Sequence, residues 1–102
     1  MLFQVTMFPT ENKSPGVSEA VAQVIDLIDK SGLPYKTASM STVIEGEWEE
    51  VTNLINKCRI KLREQHSRIY IVIAVDDRPG AKDRITGKIE SVEEKLGRKV
   101  KK

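Results

Sequence analysis

Cysteine and histidine occur once each in the chain, as Cys58 and His66, and they are the side chains best suited to act as nucleophile and base near neutral pH. Such a pair works only when the imidazole lies within hydrogen-bond reach of the thiol. Here the two sit about two helical turns apart. Cys58 falls on an apolar stripe, where a thiol packs as a small hydrophobe, and His66 reads as the frayed end of the same helix, favourable to its dipole when charged. One cysteine makes neither an internal disulfide nor a thiolate zinc site, and one histidine makes no His-rich metal centre. Gly80 and Gly87 form no phosphate-cradling loop, and the P-loop pattern is absent. The chemistry that remains lies in Ser39-Met40-Ser41-Thr42-Val43-Ile44-Glu45-Gly46-Glu47-Trp48-Glu49-Glu50-Val51. That segment concentrates hydroxyls, carboxylates and an indole, the groups that recognise a small molecule.

These residues must be positioned by regular elements. Leu2 to Phe8 alternate, with Phe3, Val5 and Met7 on one side and Leu2, Gln4, Thr6 and Phe8 on the other, so the spacing predicts a strand ending at Pro9. Thr10 to Gly16, with Lys13 and Pro15, is loop chemistry, and Ser18 and Glu19 can cap and charge a helix start. Val17, Val21, Val24, Ile25 and Ile28 form the apolar stripe of that helix. Gly32 stops it, and Pro34 forbids its continuation. Tyr35 to Glu47 reads as two short strands in a hairpin around Ser39-Met40-Ser41. A second helix follows from about Trp48, with Val51, Leu54, Ile55, Cys58 and Leu62 on one face; acidic groups lie at its start and Lys61 and Arg63 at its end, as its dipole favours. Arg68 to Asp77 is a strand apolar on both faces, which predicts a central position in the sheet. After the Asp77-Arg78-Pro79-Gly80 turn, Ile85, Ile89, Val92 and Leu96 predict a terminal helix stopped by Gly97.

The 102 residues suit one domain spanning 1-102. Apolar residues make up 39% and charged residues 31%, the composition of a soluble, ordered chain with a well-charged surface. No apolar run approaches a membrane span, and the start MLFQVTMFP lacks the basic region and cleavage site of a signal peptide, so a cytoplasmic protein with no membrane partner is expected. The net charge is +2, and much of the surplus sits in the tail Arg98-Lys99-Lys101-Lys102 rather than on a patterned face. No nucleic-acid partner is expected.

The order β-α-β-β-α-β with an added helix is that of an α+β, ferredoxin-like sandwich: one antiparallel sheet with two helices on one face, plus a short C-terminal helix. The uncovered face would carry Leu2, Phe8, Val72 and Ala74, which predicts burial in a homo-oligomer. The terminal helix could cover part of that face in cis or pack on a second subunit. Each familiar use of the fold must be tested on residues. A heavy-metal chaperone needs two cysteines. An RNA-recognition module needs paired aromatics on its central strands, where this chain offers Tyr70 among aliphatic neighbours. An acylphosphatase-type site wants an arginine in a glycine-rich first loop, and Thr10 to Gly16 has Lys13 instead.

Ser39 to Val51 resembles the signature of the small thiamine-binding protein family, the YkoF-like group once known only as an uncharacterised protein family, whose members carry a Met-Gly/Ser-Thr-Val-Ile-Glu-Gly-Glu-Trp/Phe run. The strand closed by Pro9, the Pro15-Gly16-Val17-Ser18 helix entry, Ser31-Gly32-Leu33 before Tyr35, and Ile73 to Arg78 are also similar to that family, so the resemblance covers nearly the whole chain. It implies a ferredoxin-like fold, association through sheets into dimers or tetramers, recognition of thiamine or its hydroxymethylpyrimidine half, and no catalytic activity or cofactor.

An aminopyrimidine offers an amino donor beside ring-nitrogen acceptors, so its site wants a carboxylate or carbonyl, a hydroxyl or amide, and flat apolar walls. Thr42 and Glu45, with Gln4 and Thr6, supply such groups. The thiazolium cation would favour a carboxylate such as Glu45 or Asp77 and an aromatic face from Phe8, Tyr35 or Trp48. Each residue also has a structural reading. Glu47 and Glu50 are helix-start charges, Trp48 gives bulk at a corner, Gly46 relieves crowding, Thr42 is a β-branched strand residue, and Asp76, Asp77 and Arg78 form a turn or an intersubunit ion pair. Thr42 and Glu45 are three apart, so a regular strand points them to opposite faces unless a bulge re-aims one. The expected function is a non-enzymatic carrier or sensor. The alternatives are a structural or regulatory assembly module binding another small effector such as an amino acid, and an enzyme acting on a thiamine precursor with residues assembled across subunits.

Overall fold

The structure is a computed structural model that describes residues 1–10 and 17–102. The expected loop beyond Thr10, including Lys13 and the Pro15-Gly16 helix entry, lies outside the described residues. The elements follow in the order β1 (Leu2–Pro9), α1 (Val17–Lys30), β2 (Tyr35–Thr37), β3 (Thr42–Glu45), α2 (Trp48–Arg63), β4 (Ile69–Asp76) and α3 (Arg84–Leu96). Four antiparallel strands stand in the order β2-β3-β1-β4, the ferredoxin-like arrangement expected from the sequence.

Alternation along β1 decides the core. Phe3, Val5 and Met7 are buried beneath α1 and α2 together with Ile44 of β3, while Leu2, Gln4, Thr6 and Phe8 stand on the other face. From α2 come Val51, Leu54, Ile55, Cys58 and Leu62, the stripe its spacing predicts. From α1 come Ala20, Val24 and Ile28. Each fully buried aliphatic side chain among these contributes about 1.5–3 kcal/mol of transfer free energy, so the α2 seam alone outweighs any single surface interaction. His66, expected at a frayed helix end, is instead buried just beyond α2.

The expectation that β4 is central does not hold. Among the described residues it pairs only with β1 and forms an edge of the sheet. Its apolar residues are indeed distributed over both faces, but Tyr70, Val72, Ile73 and Val75 are all exposed. The helices cover Ile69 and Ile71 only in part and leave the far end of the strand uncovered. A run apolar on both faces therefore marks here an open edge, not a central position.

The terminal helix covers part of the second face in cis. Lys88 of α3 forms an ion pair with Asp76 at the end of β4, and the α3 start is held by Glu45 of β3. None of the α3 residues is fully buried, and Val92 and Leu96 remain exposed. Gly97 adopts φ 74°, the left-handed residue that ends a helix at low cost.

Candidate functional site

Two polar assemblies are built on the hairpin and its neighbours, and they lie on opposite faces of the sheet. The strand register separates them: Thr42 pairs with Val5 on the helix-covered side, and Glu45 pairs with Leu2 on the other. No bulge intervenes. Thr42 and Glu45 therefore do not share one pocket, as the alternation of a regular strand requires.

Glu45 acts on α3. Its two carboxylate oxygens each accept the main-chain N–H of Arg84 at 3.0 Å, and one also accepts that of Ile85 at 3.3 Å. The first N–H groups of a helix lack intrahelical partners. The residue before α3, Asp83, has φ 54° and makes no side-chain cap of its own. A carboxylate reaching across from β3 satisfies those donors and opposes the positive end of the dipole. The Lys88–Asp76 pair is the second attachment. The hydrogen bond from Lys88, and after it the charge of that lysine, hold the Asp76 carboxyl below its ordinary value. A shallow cleft of about 320 Å³ lies between this helix and Leu2, Gln4, Val43 and Ala74.

Thr42 faces the other assembly, a cavity of about 270 Å³ between the sheet and α1. One wall is β1 from Val5 to Phe8, one is the α1 face from Val17 to Ile28, and the third is the hairpin from Thr37 to Thr42. Val17 and Val21 belong to the apolar stripe of α1 yet remain exposed, because their turn of the helix faces this space instead of the core. The polar groups are few. Thr37 Oγ1 and Thr42 Oγ1 share a hydrogen bond of 2.8 Å across the strand pair, and Ser39 and Ser41 lie at the turn. Among the described residues no charged side chain lines the cavity. Apolar walls with a small set of fixed polar groups are what a small-molecule pocket requires, and the volume is close to the ~300 Å³ lower end of the usual range.

The hairpin is held over this space by residues that the sequence proposes as ligand contacts. On the far face of β1, Thr6 Oγ1 donates to the Met40 carbonyl at 3.0 Å and Gln4 Nε2 donates to Ser41 Oγ at 3.1 Å, so both side chains latch the turn. Tyr35 lies on the helix side, and its hydroxyl donates to Asp29 Oδ1 at 2.7 Å, tying β2 to the end of α1. That bond pushes the Tyr35 hydroxyl pKa above its ordinary value, because ionisation would forfeit a donated bond to a carboxylate. Phe8 lines the cavity and also rests against Tyr70, ring centroids 5.6 Å apart. Trp48 packs on Phe3 at 5.8 Å, at the hairpin-to-helix corner away from the cavity lining. Asp77 follows the end of β4 and also lies outside the lining. The structure thus puts Thr6, Phe8 and Thr42 in the cavity lining, uses the Thr6 hydroxyl with Gln4 and Tyr35 to brace the hairpin, and leaves Glu45, Trp48 and Asp77 elsewhere. Thr37, Val17 and Val21 are lining that sequence reasoning missed, and Ser39 and Ser41 were singled out only as part of the Ser39 to Val51 segment. In the sequence Val17 and Val21 belong to the same apolar stripe as the core residues of α1, and no signal there sets them apart.

The profile of the family described as thiamine-binding protein matches residues 3–93. The chain belongs to the thiamine-binding protein family. Among relatives, a UPF0045 protein of Mycobacterium bovis is 40% identical over 82 residues, covering 79% of this chain and 80% of that one. A UPF0045 protein of Eremothecium gossypii is 31% identical, covering 93% of this chain and 91% of its own length. Among solved structures, a hypothetical protein of Methanocaldococcus jannaschii superposes with a TM-score of 0.80 at 24% identity, covering 91% of this chain and 95% of that one. A Thermotoga maritima protein described as a candidate thiamine biosynthesis/salvage protein gives 0.78 at 20% identity, covering 89% and 96%. At these identities the two structures show the shared fold of the thiamine-binding family.

Proposed function

We propose that this member of the thiamine-binding family is a non-enzymatic carrier or sensor that takes thiamine through its hydroxymethylpyrimidine half. The observation that supports it best is the cavity under the hairpin, about 270 Å³, whose described lining is mainly apolar and carries no charged side chain. A neutral aromatic ring gains by leaving water for such a space, whereas the thiazolium cation would lose its hydration there with no carboxylate in the described lining to compensate. The pyrimidine half goes in and the cation stays at solvent. The expected acidic partners of the cation, Glu45 and Asp77, play no part in this arrangement. Cys58 adds no nucleophile: burial pushes its thiol up to about 11.

Calorimetric titration tests the reading. Thiamine and hydroxymethylpyrimidine should bind with similar affinity, and Val21→Phe should abolish both, because Val21 is a half-exposed cavity wall that can accept a larger ring without disturbing the core. Binding of an amino acid alone would favour the effector-binding assembly module, and turnover of a thiamine precursor would make the protein an enzyme.

Self-association belongs to the same proposal. The exposed apolar edge of β4 and the outer residues of α3 supply its surface, with dimers or tetramers of a cytoplasmic protein as the expected state. No described helix is long and apolar enough to cross a membrane.

A further inference from the structure

The β1 ladder stops on one side before the strand does. Gly46 N–H donates to the Met1 carbonyl at 3.1 Å on the β3 side, and Thr10 N–H donates to the Arg68 carbonyl at 3.2 Å on the β4 side. Main-chain groups alternate sides along an antiparallel strand, so odd residues of β1 face β3 and even ones face β4. The last rung with β3 is Val5 opposite Thr42. The next would set Met7 opposite Met40, but the chain has already turned there, and the Met40 carbonyl accepts the Thr6 hydroxyl. The Met7 N–H and C=O therefore point side by side into the space under the hairpin and find no hydrogen-bond partner among the described residues. That space is the cavity, and Thr6, Met7 and Phe8 all line it.

We infer that the main chain of Met7 reads the amino group and the adjacent ring nitrogen of the pyrimidine. The inference rests on the proposed occupancy of the cavity and deepens it. A ligand that displaces water from this space must satisfy the backbone donor and acceptor it covers, and a 4-aminopyrimidine edge satisfies both at once. Its amino N–H donates to the Met7 carbonyl, its ring nitrogen accepts the Met7 N–H, and the heterocycle continues the sheet as one more rung. The flat ring then lies between α1 and the hairpin, with Val21 and Met40 to either side. Recognition by main chain explains why the lining needs so few polar side chains.

The test uses thiamine and an analogue in which the pyrimidine nitrogen beside the amino group is replaced by C–H. The proteins are the unmodified chain, Met7→Leu, and a chain with Met7 installed as its α-hydroxy acid, which turns that N–H into an ester oxygen. On the unmodified chain and on Met7→Leu the analogue should bind about tenfold more weakly, the loss of one hydrogen bond. On the ester chain the two ligands should bind within about twofold of each other. A full tenfold difference persisting on the ester chain overturns the Met7 assignment and leaves thiamine binding intact. Should the ester chain not fold, the Met7 amide proton of the unmodified chain decides: it should move downfield with thiamine and not with the analogue, and equal movement with both overturns the inference. Absence of thiamine binding to the unmodified chain overturns this inference and the proposed function together.

Discussion

The Glu45 carboxylate accepts the Arg84 main-chain N–H at 3.0 Å to each oxygen, so a side chain on β3 caps the first turn of α3 from across the sheet. A residue whose carboxylate suits an aminopyrimidine or a thiazolium is occupied in holding a helix. Glu45→Ala should therefore leave thiamine affinity unchanged while costing about 0.5–2 kcal/mol at the α3 start, the usual value of a lost N-cap. Amide hydrogen exchange should quicken at Arg84 and Ile85 and not at Val51 or Leu54. Loss of thiamine binding in this variant would return Glu45 to the pocket.

Gly46 sits where a Cβ would come within 2.9 Å of both Glu50 Oε1 and Val51 Cγ2. Glu50 is a movable side chain whose carboxylate accepts the Glu47 N–H at 2.8 Å at the start of α2, but Val51 is fully buried and has nowhere to go. Gly46→Ala should destabilise the fold by about 1–3 kcal/mol, the cost of overpacking a core contact. Denaturant unfolding of the two chains gives the difference.

Cys58 is buried between α2 and α1, with its thiol 3.9 Å from the Val24 carbonyl and its pKa pushed up to about 11 by burial. Alkylation by iodoacetamide at pH 8 should be slow in the native protein and fast once it is unfolded. Rapid native modification would place the thiol at the surface.

Acid should loosen α3 before the core. Asp76 is held below its ordinary value first by its hydrogen bond to Lys88 and then by the charge of that lysine, and Glu93 by the Val100 N–H and then by Lys102. A depressed carboxylate binds fewer protons folded than unfolded, so its contribution is present above the ordinary values of 3.8 and 4.5 and is lost as pH falls through the lower folded ones. The Asp76 carboxylate is the more solvent-exposed of the two, so added salt should shrink its effect more than that of Glu93. Chemical shifts of Lys88 and Val100 followed from pH 6 to pH 2 would show α3 responding before Phe3 and Leu62.

The elements were legible because their signals are local: alternation placed Phe3, Val5 and Met7 inside, and period-3.6 spacing placed Val51 to Leu62 on the core. The edge position of β4 was not, because a strand apolar on both faces reads the same whether a neighbour or an open edge meets it. The site was legible only in part. Spacing shows that Thr42 and Glu45 diverge, but which of the two faces a cavity depends on how β1, α1 and the hairpin meet, residues far apart in the chain. The unfilled rung at Met7 has no sequence signature at all, since it belongs to the main chain.

The central claim is the location of the ligand. Titration of ¹⁵N-labelled protein with hydroxymethylpyrimidine should shift the amides of Met7, Val21, Met40 and Thr42 around the cavity while those of Ala74, Arg84 and Lys88 on the opposite face stay within noise. Shifts confined to Ala74, Arg84 and Lys88, with the cavity unmoved, would contradict it.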